Sequence, residues 1–153
     1  QEEVVKIAQQ MQGTSDNLAY LVRNYVLTGD IQYFENYWDM ELHGEGREDV
    51  VKKLRSYHFD NEEQKNLNII LDRCNELKKQ EVYAMQLALA QYHVHAIDYE
   101  DEELQVIYDM WRIMISFPCM RVVMNPGWSR NRMQQTTYLV KSTVIVPSSC
   151  LMQ

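Results

Sequence analysis

The chain has 153 residues, the length of one ordinary domain, with 46% apolar and 24% charged residues, near the globular average. Only 5 Gly and 3 Pro exclude a collagen-like, loop-rich or disordered chain and favour helices. The formal charge of −7 hides an asymmetry: residues 1–109 hold all 22 acids against 10 Lys and Arg, a balance of −12, while residues 110–153 hold five cations and no acid. An acidic main body disfavours nucleic acid and anionic membrane faces as partners.

The first predicted helix covers residues 2–28. Val4, Ala8, Met11, Ser15, Leu18, Val22 and Tyr25 alternate by four and three, the seam of a coiled coil or a long bundle helix. Ile7, Thr14, Leu21 and Thr28 widen that face as a bundle requires. Such a helix is roughly 40 Å long. It should stop at Gly29, a residue suited to the left-handed position after a helix. Asp30 then caps the next helix, which begins at Ile31 and places Ile31, Phe34, Trp38 and Leu42 on one face. The run His43-Gly44-Glu45-Gly46 breaks that helix, and Glu48 to Tyr57 continues as a short one.

Asp60 and Glu63 have the spacing of a capping box before a long helix reaching about Ala96. Its apolar residues fall in two phases, Leu67, Ile70, Cys74 and Leu77, then Val82, Met85, Leu89 and Tyr92, which predicts a register shift. A further helix is predicted from Glu102 to Ser116, with Leu104, Ile107, Trp111 and Met114 inward, and Pro118 ends it. Beyond lies a basic tail, residues 118–153, whose Thr136 to Val146 is rich in β-branched residues and reads as a strand. One reading docks this tail on the acidic body; the other gives it a separate history and little share of the core. The predicted fold is therefore all-α: an antiparallel helical bundle of four-helix type over residues 1–117, with an irregular or β-like tail over 118–153.

The acidic start Gln1-Glu2-Glu3 is unlike a secretory signal, and no apolar run nears the roughly 20 residues of a membrane span. The chain reads as a soluble segment, one that can belong to something longer. Cys74, Cys119 and Cys150 are odd in number and lack metal or redox spacing. Hydrolase, P-loop, dinucleotide and zinc-protease motifs are missing. His93 and His95, two apart, point to opposite sides of a helix and cannot share a metal. The reading is a non-enzyme without metal or cofactor.

Two blocks carry a family resemblance. The first is Ser15-Asp16-Asn17-Leu18, then Arg23-Asn24-Tyr25-Val26-Leu27-Thr28-Gly29-Asp30, Tyr33 and Tyr37-Trp38; the second is Leu71-Asp72-Arg73-Cys74-Asn75-Glu76-Leu77 with Glu81 and Ala84-Met85. Together they resemble the helical-bundle sensor ectodomains of bacterial methyl-accepting chemotaxis proteins, sensor histidine kinases and diguanylate cyclases, with Cys74 where the family usually has Ser. The resemblance covers residues 1 to about 95. It implies an extracytoplasmic, periplasmic or cell-surface, ligand-sensing domain of a membrane-anchored parent chain. The alternative is a helical scaffold or interaction module without a small-molecule ligand. The regular first seam suggests a weak homodimer.

The candidate ligand site is Arg23 with Tyr33 and Tyr37. A guanidinium beside amphipathic rings suits a small anionic or aromatic compound. The structural reading of the same residues is an Arg23 bond to Asp30, Glu35 or a carbonyl near the turn, with the rings as bundle core.

Overall fold

The computed structural model describes residues 2–44, 46–92 and 95–116. The described chain is all-α, as the sequence predicts. Its helices are α1 (Glu2–Thr28), α2 (Ile31–Leu42), α3 (Arg47–Arg55), α4 (Asn61–Tyr92) and α5 (Glu102–Ser116). The basic tail, its predicted strand, Cys119, Cys150 and His93 lie outside the described residues, as does the far side of the expected 117/118 boundary. The chain divides between Ala88 and Leu89 into two units.

The first unit is a helical bundle of α1, α2, α3 and α4 as far as Ala88, with α1 packed on both α2 and α3. Its α1–α2 reversal follows the sequence closely. Gly29 has φ 68, in the region that costs a side chain about 1 kcal/mol or more. Its N–H donates to the Tyr25 carbonyl at 2.8 Å, closing α1. The Asp30 carboxylate accepts from the Gln32 N–H at 3.0 Å, capping α2. Across the turn, Tyr25 meets Phe34 at 5.8 Å between ring centres, and Tyr20 meets Tyr33 edge-on at 6.3 Å.

α4 starts with the full capping box: Asp60 Oδ1 accepts from the N–H groups of Glu62 (2.9 Å) and Glu63 (2.8 Å), and Glu63 Oε2 accepts from the Asp60 N–H at 2.9 Å. Met11 of α1, Val50 and Leu54 of α3, and Leu67 and Leu71 of α4 share one core, with Ile7, Phe59 and Cys74 packed against it.

Several sequence expectations need correction. Ala8 and Thr28 are exposed, since they flank rather than centre the stripe that α1 buries. α3 ends at Arg55 rather than Tyr57, because the Ser56 N–H turns back to the Lys52 and Lys53 carbonyls. On α4, Ile70 and Leu77 are 48% and 37% exposed while Leu71 is buried. The inward line is Leu67, Leu71, Cys74, Lys78, Glu81, Met85 and Ala88, which alternates by four and three throughout. In the second half of α4, Val82, Met85 and Leu89 are buried as their spacing predicts, while Tyr92 is 36% exposed; in the middle, charged residues carry the seam where Ile70 and Leu77 step aside.

In the second unit Asp101 Oδ1 accepts from the N–H groups of Glu103 (2.9 Å) and Leu104 (3.0 Å) and so caps α5. Leu104, Ile107, Trp111 and Met114 are buried, as their spacing predicts. The Tyr108 hydroxyl donates to the His95 carbonyl at 2.8 Å, tying α5 to the segment before it. Among the described residues no helix is long and apolar enough to cross a membrane.

Candidate functional site

The polar centre of the first unit is built around Arg47. Gly46 precedes it as the N-cap of α3 and is itself buried. A side chain at Gly46 would meet the Glu41 backbone at 3.1 Å and the Met40 carbonyl at 3.3 Å. The missing side chain thus lets the start of α3 close onto the end of α2 and drives Arg47 inward, to 4% exposure. A cation at a helix N-terminus opposes the helix dipole, and a buried cation without a partner is costly. Glu81 on α4 answers both: Arg47 Nη1 and Nη2 each donate to one of its carboxylate oxygens at 2.7 Å. The fork is bidentate, the strongest protein geometry for this pair.

Two neighbours complete the cluster. The Tyr37 hydroxyl of α2 donates to Glu81 Oε2 at 3.0 Å. Arg47 Nε donates to Ser15 Oγ of α1 at 3.1 Å. All four helices of the first unit therefore converge on one ion pair. Burial first, then the Glu81 and Glu41 charges, push the Tyr37 phenol well above its ordinary range. For Arg47, burial opposes the charge, but the Glu81 bonds and charge outweigh it and raise its pKa further. Both groups thus hold their protons.

A second, partly buried pair lies one turn earlier on α4. Lys78 Nζ sits 3.0 Å from Glu41 Oε2, with the side chains 19% and 3% exposed. Glu41 Oε1 is buried without a hydrogen-bond partner among the described residues. Cys74 is half-buried and its thiol is raised, chiefly by burial.

The structure separates the residues that the sequence proposes as a ligand site. Arg23 is exposed, and among the described residues no hydrogen bond or ion pair joins it to Asp30, Glu35, Tyr33 or Tyr37. Tyr33 is half-buried against Tyr20, and Tyr37 is fully buried with its hydroxyl committed to Glu81. Gly29 and Asp30 form the expected turn. Arg47, Lys78 and Glu41 were not singled out by the sequence. A signal for them exists: continuing the four-three count of α4 past Cys74 lands on Lys78 and Glu81, and a seam carboxylate requires a cation opposite. Among the described residues no cluster of acids, His and Cys could hold a metal ion. No protein-family model, curated protein or solved structure matches the chain.

Proposed function

We propose that the chain is a non-catalytic, extracytoplasmic ligand-sensing domain of a bacterial membrane signal-transduction receptor. One observation carries the reading: Ser15, Tyr37 and Glu81, taken from separate parts of the two resembling blocks, meet around Arg47. Blocks that lie far apart in sequence serve one cluster, which supports their belonging to one motif. The cluster also suits a sensor physically. It couples four helices through directional bonds, and packed helices occupy discrete arrangements, so a shift of about 1–2 Å suffices to bias an output.

A thermal-shift screen of organic acids, amino acids and aromatic metabolites tests the reading. A saturable hit whose affinity changes with the helix arrangement, as probed by Tyr37→Phe, supports it. A chain that binds no compound but captures a partner helix contradicts it. That second result would favour the scaffold reading, for which the observation is the outer face of α1: Val5, Tyr20 and Leu27 are 55%, 51% and 78% exposed. The weak homodimer expected along the first helix belongs to the same reading, although Met11, Leu18, Val22 and Tyr25 of its regular seam are buried within the chain; sedimentation over a concentration range tests it directly.

A further inference from the structure

A cleft of ≈ 320 Å³ lies between α3 and α4 in the first unit. Its volume is at the lower end of the range for small-molecule sites, roughly 300–1,000 Å³. Val51, Leu71 and Cys74 supply apolar wall, and Lys78 and Arg55 line the same cleft.

The two cations come from the two helices that wall the cleft, Arg55 from α3 and Lys78 from α4. Arg47 is 4% exposed, its fork turned inward to Ser15 and Glu81. Lys52 is mostly exposed and lies 3.8 Å from Asp49. Lys78 is held in place by Glu41, yet an ammonium has three donors and only this partner is described for it. Arg55 is exposed and makes no hydrogen bond or ion pair among the described residues, so its whole fork is available. One cation is therefore fixed in the wall and a second is free to fold over an occupant.

The remaining charges limit what that occupant can be. Glu48 also lines the cleft and is exposed, and Glu41 and Glu81 lie behind Lys78 and Arg47. Local charge is close to balanced, so recognition comes from short-range donors rather than from a broad positive field. A multiply charged anion would meet Glu48 unfavourably. We propose that this cleft binds a small monocarboxylate with an apolar body, its carboxylate taken by Lys78 and Arg55 and its body laid on Val51, Leu71 and Cys74. The inference is independent of the sensing reading: binding in this cleft requires no signalling output.

Benzoate titrated into the full chain, followed by backbone amide chemical shifts, tests it. Saturable shifts should appear at residues 47–55 and 71–78. The neutral isostere benzamide and inorganic phosphate should give no saturable response there. Arg55→Gln, at an exposed position, should leave the melting temperature unchanged and weaken benzoate about tenfold, the equivalent of one charge-assisted hydrogen bond. Replacing Lys78 alone would strand the buried Glu41. The paired change Glu41→Gln with Lys78→Gln removes both charges together and should weaken benzoate at least as much. Absence of saturable benzoate binding overturns the proposal. So does benzamide or phosphate binding as tight as benzoate, or a benzoate affinity that Arg55→Gln leaves unchanged.

Discussion

α1 and α4 carry the same four-three seam and fill it in different ways. α1 buries Met11, Leu18, Val22 and Tyr25 along its seam, which packs mainly without direction apart from the Ser15 bond to Arg47. α4 buries Leu67 and Leu71, then turns the half-buried Lys78 and the buried Glu81 inward, then buries Met85 and Ala88. Its middle is directional: Glu81 accepts from Arg47 and Tyr37, and Lys78 faces Glu41. Apolar packing tolerates a range of helix positions, whereas a bidentate pair with fixed donors does not. The registry of α2 and α3 against α4 therefore rests on the charged section, and the bulk of the burial energy on the apolar sections at either end.

The largest expected effect comes from breaking the charged section. Glu81→Ala leaves Arg47 buried and unpaired and should cost about 3–5 kcal/mol in urea unfolding. The paired replacement Arg47→Met with Glu81→Met should recover most of that loss, because an apolar pair of similar volume avoids desolvating two charges. An apolar position in the same seam behaves differently. Leu71→Ala should cost about 2–5 kcal/mol through the cavity it leaves, and no partner change restores it. Ile70→Ala, one residue away, should stay within about 0.5 kcal/mol, as at most surface sites. If Ile70→Ala proves the costlier of the two, the seam runs through the apolar residues after all.

Tyr37→Phe removes one bond to a carboxylate that keeps two others, and should cost about 1.5–3 kcal/mol. It also changes the alkaline limb. The native phenol holds its proton more tightly than the unfolded one because burial and the Glu81 and Glu41 charges oppose its ionisation. That stabilisation is complete below the ordinary tyrosine value of about 10 and is lost as pH rises through the raised native value. Stability measured against pH should therefore fall less steeply above pH 10 in Tyr37→Phe than in the parent. Tyr108, raised mainly by burial, keeps some slope in both. Gly29→Ala should cost about 1 kcal/mol, an effect confined to the α1–α2 turn and independent of the charged section.

Legibility in the sequence followed the range of the physics. The Gly29–Asp30 turn, the Asp60–Glu63 box and the inward face of α5 depend on residues within four of one another, and local chemistry specifies each. On α4, the apolar period locates Leu67, Val82, Met85 and Leu89 in the core but fails in the middle of the helix. Ile70 and Leu77 kept an apolar rhythm going on a surface that water reaches, while the true line passed through Lys78 and Glu81. Arg47 was hidden for a further reason: its burial depends on Gly46 meeting the Met40 and Glu41 backbone and on a carboxylate 34 positions away. Arg23 showed the converse. A cation next to two seam residues looked enclosed, but its own position on the helical wheel faces outward.

The central claim is that Arg47 and Glu81 act as one unit that fixes the registry of the first four helices. A double-mutant cycle on Arg47→Met and Glu81→Met, read by urea unfolding of the full chain, measures it directly. The account predicts two costly single changes and a paired change far below their sum, with a coupling energy of about 3 kcal/mol or more. Single changes whose effects add to within about 0.5 kcal/mol would contradict it.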